Sequence, residues 1–77
     1  MPTVLRIKGY RVGFFSSDGD EPPHVHVTKS GDAAKFWLQP VQLADNAGFA
    51  RHDLNEVHGI LEQHQGQLIA AWHEYFG

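Results

Sequence analysis

Seventy-seven residues suffice for one domain, and a content of 42% hydrophobic and 12% aromatic residues is too apolar for intrinsic disorder. The chain has no cysteine, so disulfides are excluded and any metal site must draw on His, Asp or Glu. The net charge of -3 argues against broad attraction to nucleic acid, and no apolar run approaches the roughly 18 residues that a membrane span requires.

The start MPTVLRIKGY lacks the apolar core and small-residue cleavage site of a signal peptide. The expectation is a cytoplasmic protein with no membrane partner. Its charge is uneven. Arg6, Lys8, Arg11, Lys29 and Lys35 slightly outnumber the acids of residues 1–35, whereas Arg51 alone faces five acids in residues 36–77. A local basic patch on the first half is therefore compatible with an acidic whole.

Residues 1–38 are β-branched and aromatic, alternate in polarity, and are punctuated by Gly, Ser-Asp-Gly-Asp and Pro-Pro. Strands are expected near 3–8, 10–17, 24–29 and 32–38. A turn at Lys8-Gly9 sets Ile7 opposite Tyr10, Leu5 opposite Val12 and Thr3 opposite Phe14, which gathers one apolar face. The other face then carries Val4, Arg6, Lys8, Arg11 and Phe15. A turn one residue later keeps this division and places Lys8 rather than Arg6 across from Arg11. Either register leaves like charges across a ladder, which is unfavourable and calls for a carboxylate or a bound anion nearby. Arg6, Lys8 and Arg11 are thus candidate anion-binding residues.

A second hairpin turns at Ser30-Gly31. It pairs Val27 with Ala34 and Val25 with Phe36 on one face, and His26 with Lys35 and His24 with Trp37 on the other. Pro22-Pro23 lacks ladder donors and reads as an extended lead-in. Residues 40–48 read as a connector, with one helical turn at Val41–Asp45.

From Arg51 to Phe76 the period becomes helical, with Leu54, Val57, Leu61, Leu68, Ala71 or Trp72, and Tyr75 on one stripe. A continuous helix of about 26 residues would run about 39 Å, long for so small a domain. The segment His64-Gln65-Gly66-Gln67 is the weak point where it breaks, unless the helix projects into a dimer. The expected architecture is a single α+β domain over residues 1–77, a four-stranded, mainly antiparallel sheet of two hairpins packed on a C-terminal helix or helix pair.

His24-Val25-His26 carries the most chemistry. Strand alternation sends both imidazoles to one face, a spacing that allows two ligands on one metal ion. Zinc or another transition metal would need more, and His73, Glu21 and Asp20 are the supplementary candidates. Lys35 opposite His26 is adverse to a bound cation. A second chemistry uses the same face without a metal: His24, His26 and Lys35 as catalytic groups on RNA or another phosphate ester, Arg6 and Arg11 holding the anion, and Phe15 and Trp37 stacking a base.

His52, His58 and His64 recur every six residues, share no helix face, and read as solvated. The C-terminal Trp72, Tyr75 and Phe76 read as a clamp onto the sheet, with His73 at the negative end of the helix dipole. Asp18-Gly19-Asp20 lacks the other ligands of a calcium loop and reads as a turn.

Arg6-Ile7-x-Gly9-Tyr10-Arg11, Ser16-x-Asp18 after Phe14 or Phe15, Glu21-Pro22-Pro23-His24-Val25-His26-Val27, Ala34-Lys35-Phe36-Trp37-Leu38 and Ala71-Trp72-His73-Glu74-Tyr75-Phe76 together resemble the short bacterial domain-of-unknown-function family numbered 4160. The resemblance spans nearly the whole chain and transfers no catalytic residue. It implies a gene placed beside that of another small protein, an arrangement similar to a toxin–antitoxin pair, and hence a small cognate protein or a second copy of the chain as partner. One departure is Ala50, where the family has a serine opening the helix, so this helix starts without a side-chain cap.

Overall fold

The computed structural model describes residues 3–15 and 18–77. Strands β1 (Thr3–Ile7), β2 (Tyr10–Gly13), β3 (His24–Lys29), β4 (Asp32–Leu38) and β5 (Val41–Ala47) form one antiparallel sheet in sequential order. Helices α1 (Arg51–Gln63) and α2 (Gln65–Phe76) follow, and a short 3₁₀ turn at Asp18–Asp20 precedes β3. The molecule is an α+β domain of five strands and two helices, one strand more than expected. The strand expected over 10–17 ends at Gly13, with Phe14 and Phe15 beyond it, and residues 16 and 17 lie outside the described residues.

Both hairpin turns follow from their sequences. Lys8-Gly9 and Ser30-Gly31 have positive φ at both positions, 52° and 82° in the first and 52° and 86° in the second, the conformation whose twist matches antiparallel strands. They fix Arg6 against Arg11, Ile7 against Tyr10 and Leu5 against Val12 in the first hairpin. In the second, Val27 meets Ala34, Val25 meets Phe36, His26 meets Lys35 and His24 meets Trp37. The first register breaks between Thr3 and Leu5, so Thr3 pairs with Gly13 instead of Phe14. Val4 sits at this irregularity and packs against the core rather than staying on the polar face.

Residues 41–47 are strand, not a helical turn. Only Val41 of this segment is buried; Leu43 is 41% exposed and the other residues are polar or small, so the apolar alternation stops after two residues. A bulge opposite Lys35 and Phe36 further blurs the alternation. Asn46 then closes the exit from β5, its side chain accepting from the Phe49 amide at 3.1 Å and donating to the Phe49 carbonyl at 3.0 Å.

The helices cover one sheet face. Val12, Val25, Val27, Phe36 and Leu38 line it from the strands and Phe14 from just after β2, and Val57, Ile60, Leu61, Leu68 and Trp72 pack down from α1 and α2. Burying these apolar side chains is the main stabilising term, each worth about 1.5–3 kcal/mol before chain entropy is offset. The helix breaks at His64, whose φ of -111° and ψ of 13° leave the helical region, and Ala50 opens α1 without a side-chain cap. The buried stripe continues across this break, with Leu61, Leu68, Trp72 and Phe76 spaced seven, four and four residues apart. Phe76 turns inward onto Phe14 and Trp72, with ring centroids 5.9 and 4.3 Å away, whereas Tyr75 remains 48% exposed.

Polar ties join the layers. The His58 Nε2–H donates to the Val41 carbonyl at 3.0 Å, so this histidine fastens β5 to α1 rather than being merely solvated. Gln65 Nε2 donates to the Leu38 carbonyl at 2.7 Å. Tyr10 packs beside Phe49 and aims its hydroxyl at Asp53 Oδ1, 3.4 Å away. Desolvation, aided by the neighbouring Glu56 and Asp53 carboxylates, pushes its phenol up to about 12.

Candidate functional site on the open sheet face

With both helices on one side, the other face of the sheet carries no covering layer among the described residues, an arrangement open to antiparallel sheets. Strand parity places its side chains. One row runs Arg6, Arg11, Thr28, Ala33 and Ala47; the next holds His26, Lys35 and Asp45; a third holds His24, Trp37 and Gln42. Phe15 joins them at the end of β2, its ring 4.3 Å from that of His26 and 45% exposed. Arg6, Arg11, Phe15, His26, Lys35 and Trp37 therefore share this face as expected, whereas Val4 packs against the core and Lys8 turns to Glu56 on α1.

Their environments differ sharply. His24 is fully buried, with rings of His26, Trp37 and Trp72 at 5.2, 5.5 and 5.0 Å between centroids. Its Nδ1 lies 3.0 Å from the Pro22 carbonyl, which can only accept, so that nitrogen carries the proton. Glu21 Oε1 stands 3.6 Å from the same nitrogen and 2.7 Å from Lys35 Nζ. Lys35 also sits over the Trp37 ring at 4.6 Å, a cation–π contact that holds the ammonium on the sheet surface. His26 is only partly buried and lies in a shallow depression bordered by Ala33, Lys35, Asp45 and Ala47.

This geometry sorts the candidate roles. Of His24, His26 and Lys35, the last two reach the surface, and a substrate could touch His24 only if neighbouring rings moved. Phe15 and Trp37 lie on the same face as His26, but each is already engaged, Phe15 by His26 and Trp37 by Lys35 and His24. Glu21, a supplementary candidate for a metal ligand, pairs with Lys35 at 2.7 Å. His73 is exposed on α2, where its neighbour Trp72 makes the contact with His24. Among the described residues no group of three or more His, Asp or Glu side chains is placed to hold one metal ion. No described helix is long and apolar enough to cross a membrane.

Arg6, Lys8 and Arg11 line one shallow depression at the turn end of the first hairpin. Lys8 is 3.8 Å from Glu56 on α1, and Arg11 Nε donates to the Thr3 hydroxyl at 2.8 Å. Sequence parity locates these residues but gives no sign of Trp72 behind His24 or of Asp45 opposite Lys35, since both depend on distant elements.

The fold and the exposed surface together define a small two-layer α+β domain with one open, aromatic and cationic sheet face. Residues 9–73 match the family model of a domain of unknown function, DUF4160, and the chain belongs to that family. No curated protein and no solved structure matches it.

Proposed function

We propose that this protein is a binding module that docks a small cognate protein on its open sheet face, as one half of a toxin–antitoxin-like two-gene system in the bacterial cytoplasm. The observation that carries this reading is the composition of that face: Phe15 at 45% exposure, half-buried Trp37, and exposed Arg6 and Arg11 around the small residues Ala33 and Ala47. Aromatic residues and arginine are the types enriched in protein interfaces and among their energetic anchors. The Lys35 charge is already met by Glu21, and the whole chain is acidic, which favours a protein partner over a polyanion.

Co-expression with the product of the adjacent gene is the test. The two chains should elute together from gel filtration at micromolar concentration, and Phe15→Ala or Trp37→Ala should weaken the complex about tenfold or more. Separate elution of the two, or self-association alone, would overturn the reading.

His26 opposite Lys35 supports a second reading on the same face, metal-independent cleavage of RNA or another phosphate ester, with His26 as proton carrier and Lys35 steadying charge. Cleavage lost in His26→Ala and kept in Phe15→Ala would favour it. Equal cleavage by the parent and His26→Ala would end it.

A further inference from the structure

The row that starts at the β1 edge contains an unbalanced charge. Arg6 and Arg11 are directly paired across β1 and β2, both are exposed, and both line the same depression as Lys8. Two guanidinium groups facing each other on a sheet repel, and the ordinary remedy is a carboxylate between them. Among the described residues the carboxylate that approaches this cluster is Glu56, and it pairs with Lys8; none stands at ion-pair distance from Arg6 or Arg11. Arg6 and Arg11 thus carry two positive charges that no carboxylate meets at ion-pair distance among the described residues.

We propose that Arg6 and Arg11 form a binding site for a phosphate dianion, either inorganic phosphate or the terminal group of a phosphate monoester. The charge count selects a dianion. The donor count agrees with it: each arginine presents a planar fork, and a terminal phosphate offers three oxygens that can receive two forks at once, whereas one carboxylate is filled by a single fork. The Thr3 hydroxyl accepts from Arg11 Nε, which fixes the guanidinium and leaves its two terminal nitrogens for the anion. Thr28, next in the row, adds a hydroxyl beside Arg11. Nothing in this site depends on the docking of a partner protein, and each can fail without the other.

The test is titration of the full chain with inorganic phosphate, read by thermal melting and by amide chemical shifts, with potassium chloride at matched ionic strength as control. At ten times the dissociation constant, binding should raise the melting midpoint by about 6–11 °C. The shifted amides should cluster on Arg6, Lys8 and Arg11. Glycerol phosphate, a monoester, should behave likewise, while dimethyl phosphate, a singly charged diester, should bind about tenfold more weakly. A response to inorganic phosphate alone would assign the site to the free ion, and a response to both would assign it to the terminal group. Arg6→Gln should abolish the response while melting no lower than the parent in phosphate-free buffer, because it removes a like-charge pair. No saturable response, an equal response to acetate, or an undiminished response in both Arg6→Gln and Arg11→Gln overturns the proposal.

Discussion

His24 on β3 and Trp72 on α2 meet with ring centroids 5.0 Å apart, so the histidine that begins the open-face row is also a contact between sheet and helix. Being fully buried among three other rings, His24 has the burial of a core residue. His24→Ala should therefore cost about 2–4 kcal/mol through the cavity it leaves and the lost bond to Pro22. His26→Ala should cost less, under about 1.5 kcal/mol, because its ring contacts with Phe15 and His24 are made from a partly exposed position. Urea unfolding of the two variants checks this ordering, and equal midpoints would remove His24 from the structural frame. The ordering also decides how binding experiments are read, because lost binding in His24→Ala reports folding first.

Gly59 and Gly66 lie inside α1 and α2, are exposed, and have nothing within 4 Å of where a Cβ would stand. Neither has the positive φ that would demand glycine. Each substitution to alanine should stabilise the protein by about 0.4–1 kcal/mol, mainly by reducing the freedom of the unfolded chain. The two sites lie on different helices, so their effects should add in a melting experiment. A loss of stability in Gly66→Ala would mean that the break at His64 relies on glycine two residues later.

The second hairpin was fully legible because every pair from His24–Trp37 to Val27–Ala34 keeps one polarity per face and Ser30-Gly31 marks the turn. Strand β5 was not, since Val41 and Leu43 alone make too short an alternation, Leu43 is exposed, and the pairing is decided by the neighbouring strand. Parity likewise brought His24, His26, Lys35, Trp37 and Phe15 to one face. It could not reveal that His24 is sealed, because Trp72 arrives from α2, an element that strand parity does not place. Tyr75 and Phe76, three and four residues after Trp72, both fit the helical stripe, and packing decides that Phe76 turns inward while Tyr75 stays 48% exposed.

Tyr10 supplies an alkaline signature. Its phenol is raised from 10.0 to about 12 by desolvation, with added repulsion from Glu56 and Asp53. A raised value in the folded state means that the folded chain keeps this proton while the unfolded chain releases it. The contribution is therefore fully present below pH 10 and is lost as pH rises through about 12. Melting midpoints across that window should fall more steeply for the parent than for Tyr10→Phe, which has no proton to lose. Parallel curves would show that the phenol ionises alike in both states.

The turn between β4 and β5 is bracketed by two side chains from the helices, Gln65 bonding the Leu38 carbonyl before it and His58 bonding the Val41 carbonyl after it. Because the rest of β5 is exposed, the His58 bond and the burial of Val41 are the main ties between this edge strand and the helical layer, while the Gln65 bond holds the end of β4. His58→Ala should lower stability by only about 0.5–1.5 kcal/mol, the net worth of one such bond. Its local effect should be larger, with faster amide exchange in β5 and little change in β1 and β2, since an edge strand can open without the rest of the sheet. Adding Gln65→Ala should give a loss different from the sum of the single losses, because both bonds restrain the same turn. Uniformly faster exchange throughout the sheet would instead show that β5 opens only with global unfolding, and that the helix ties carry no separate role at this edge.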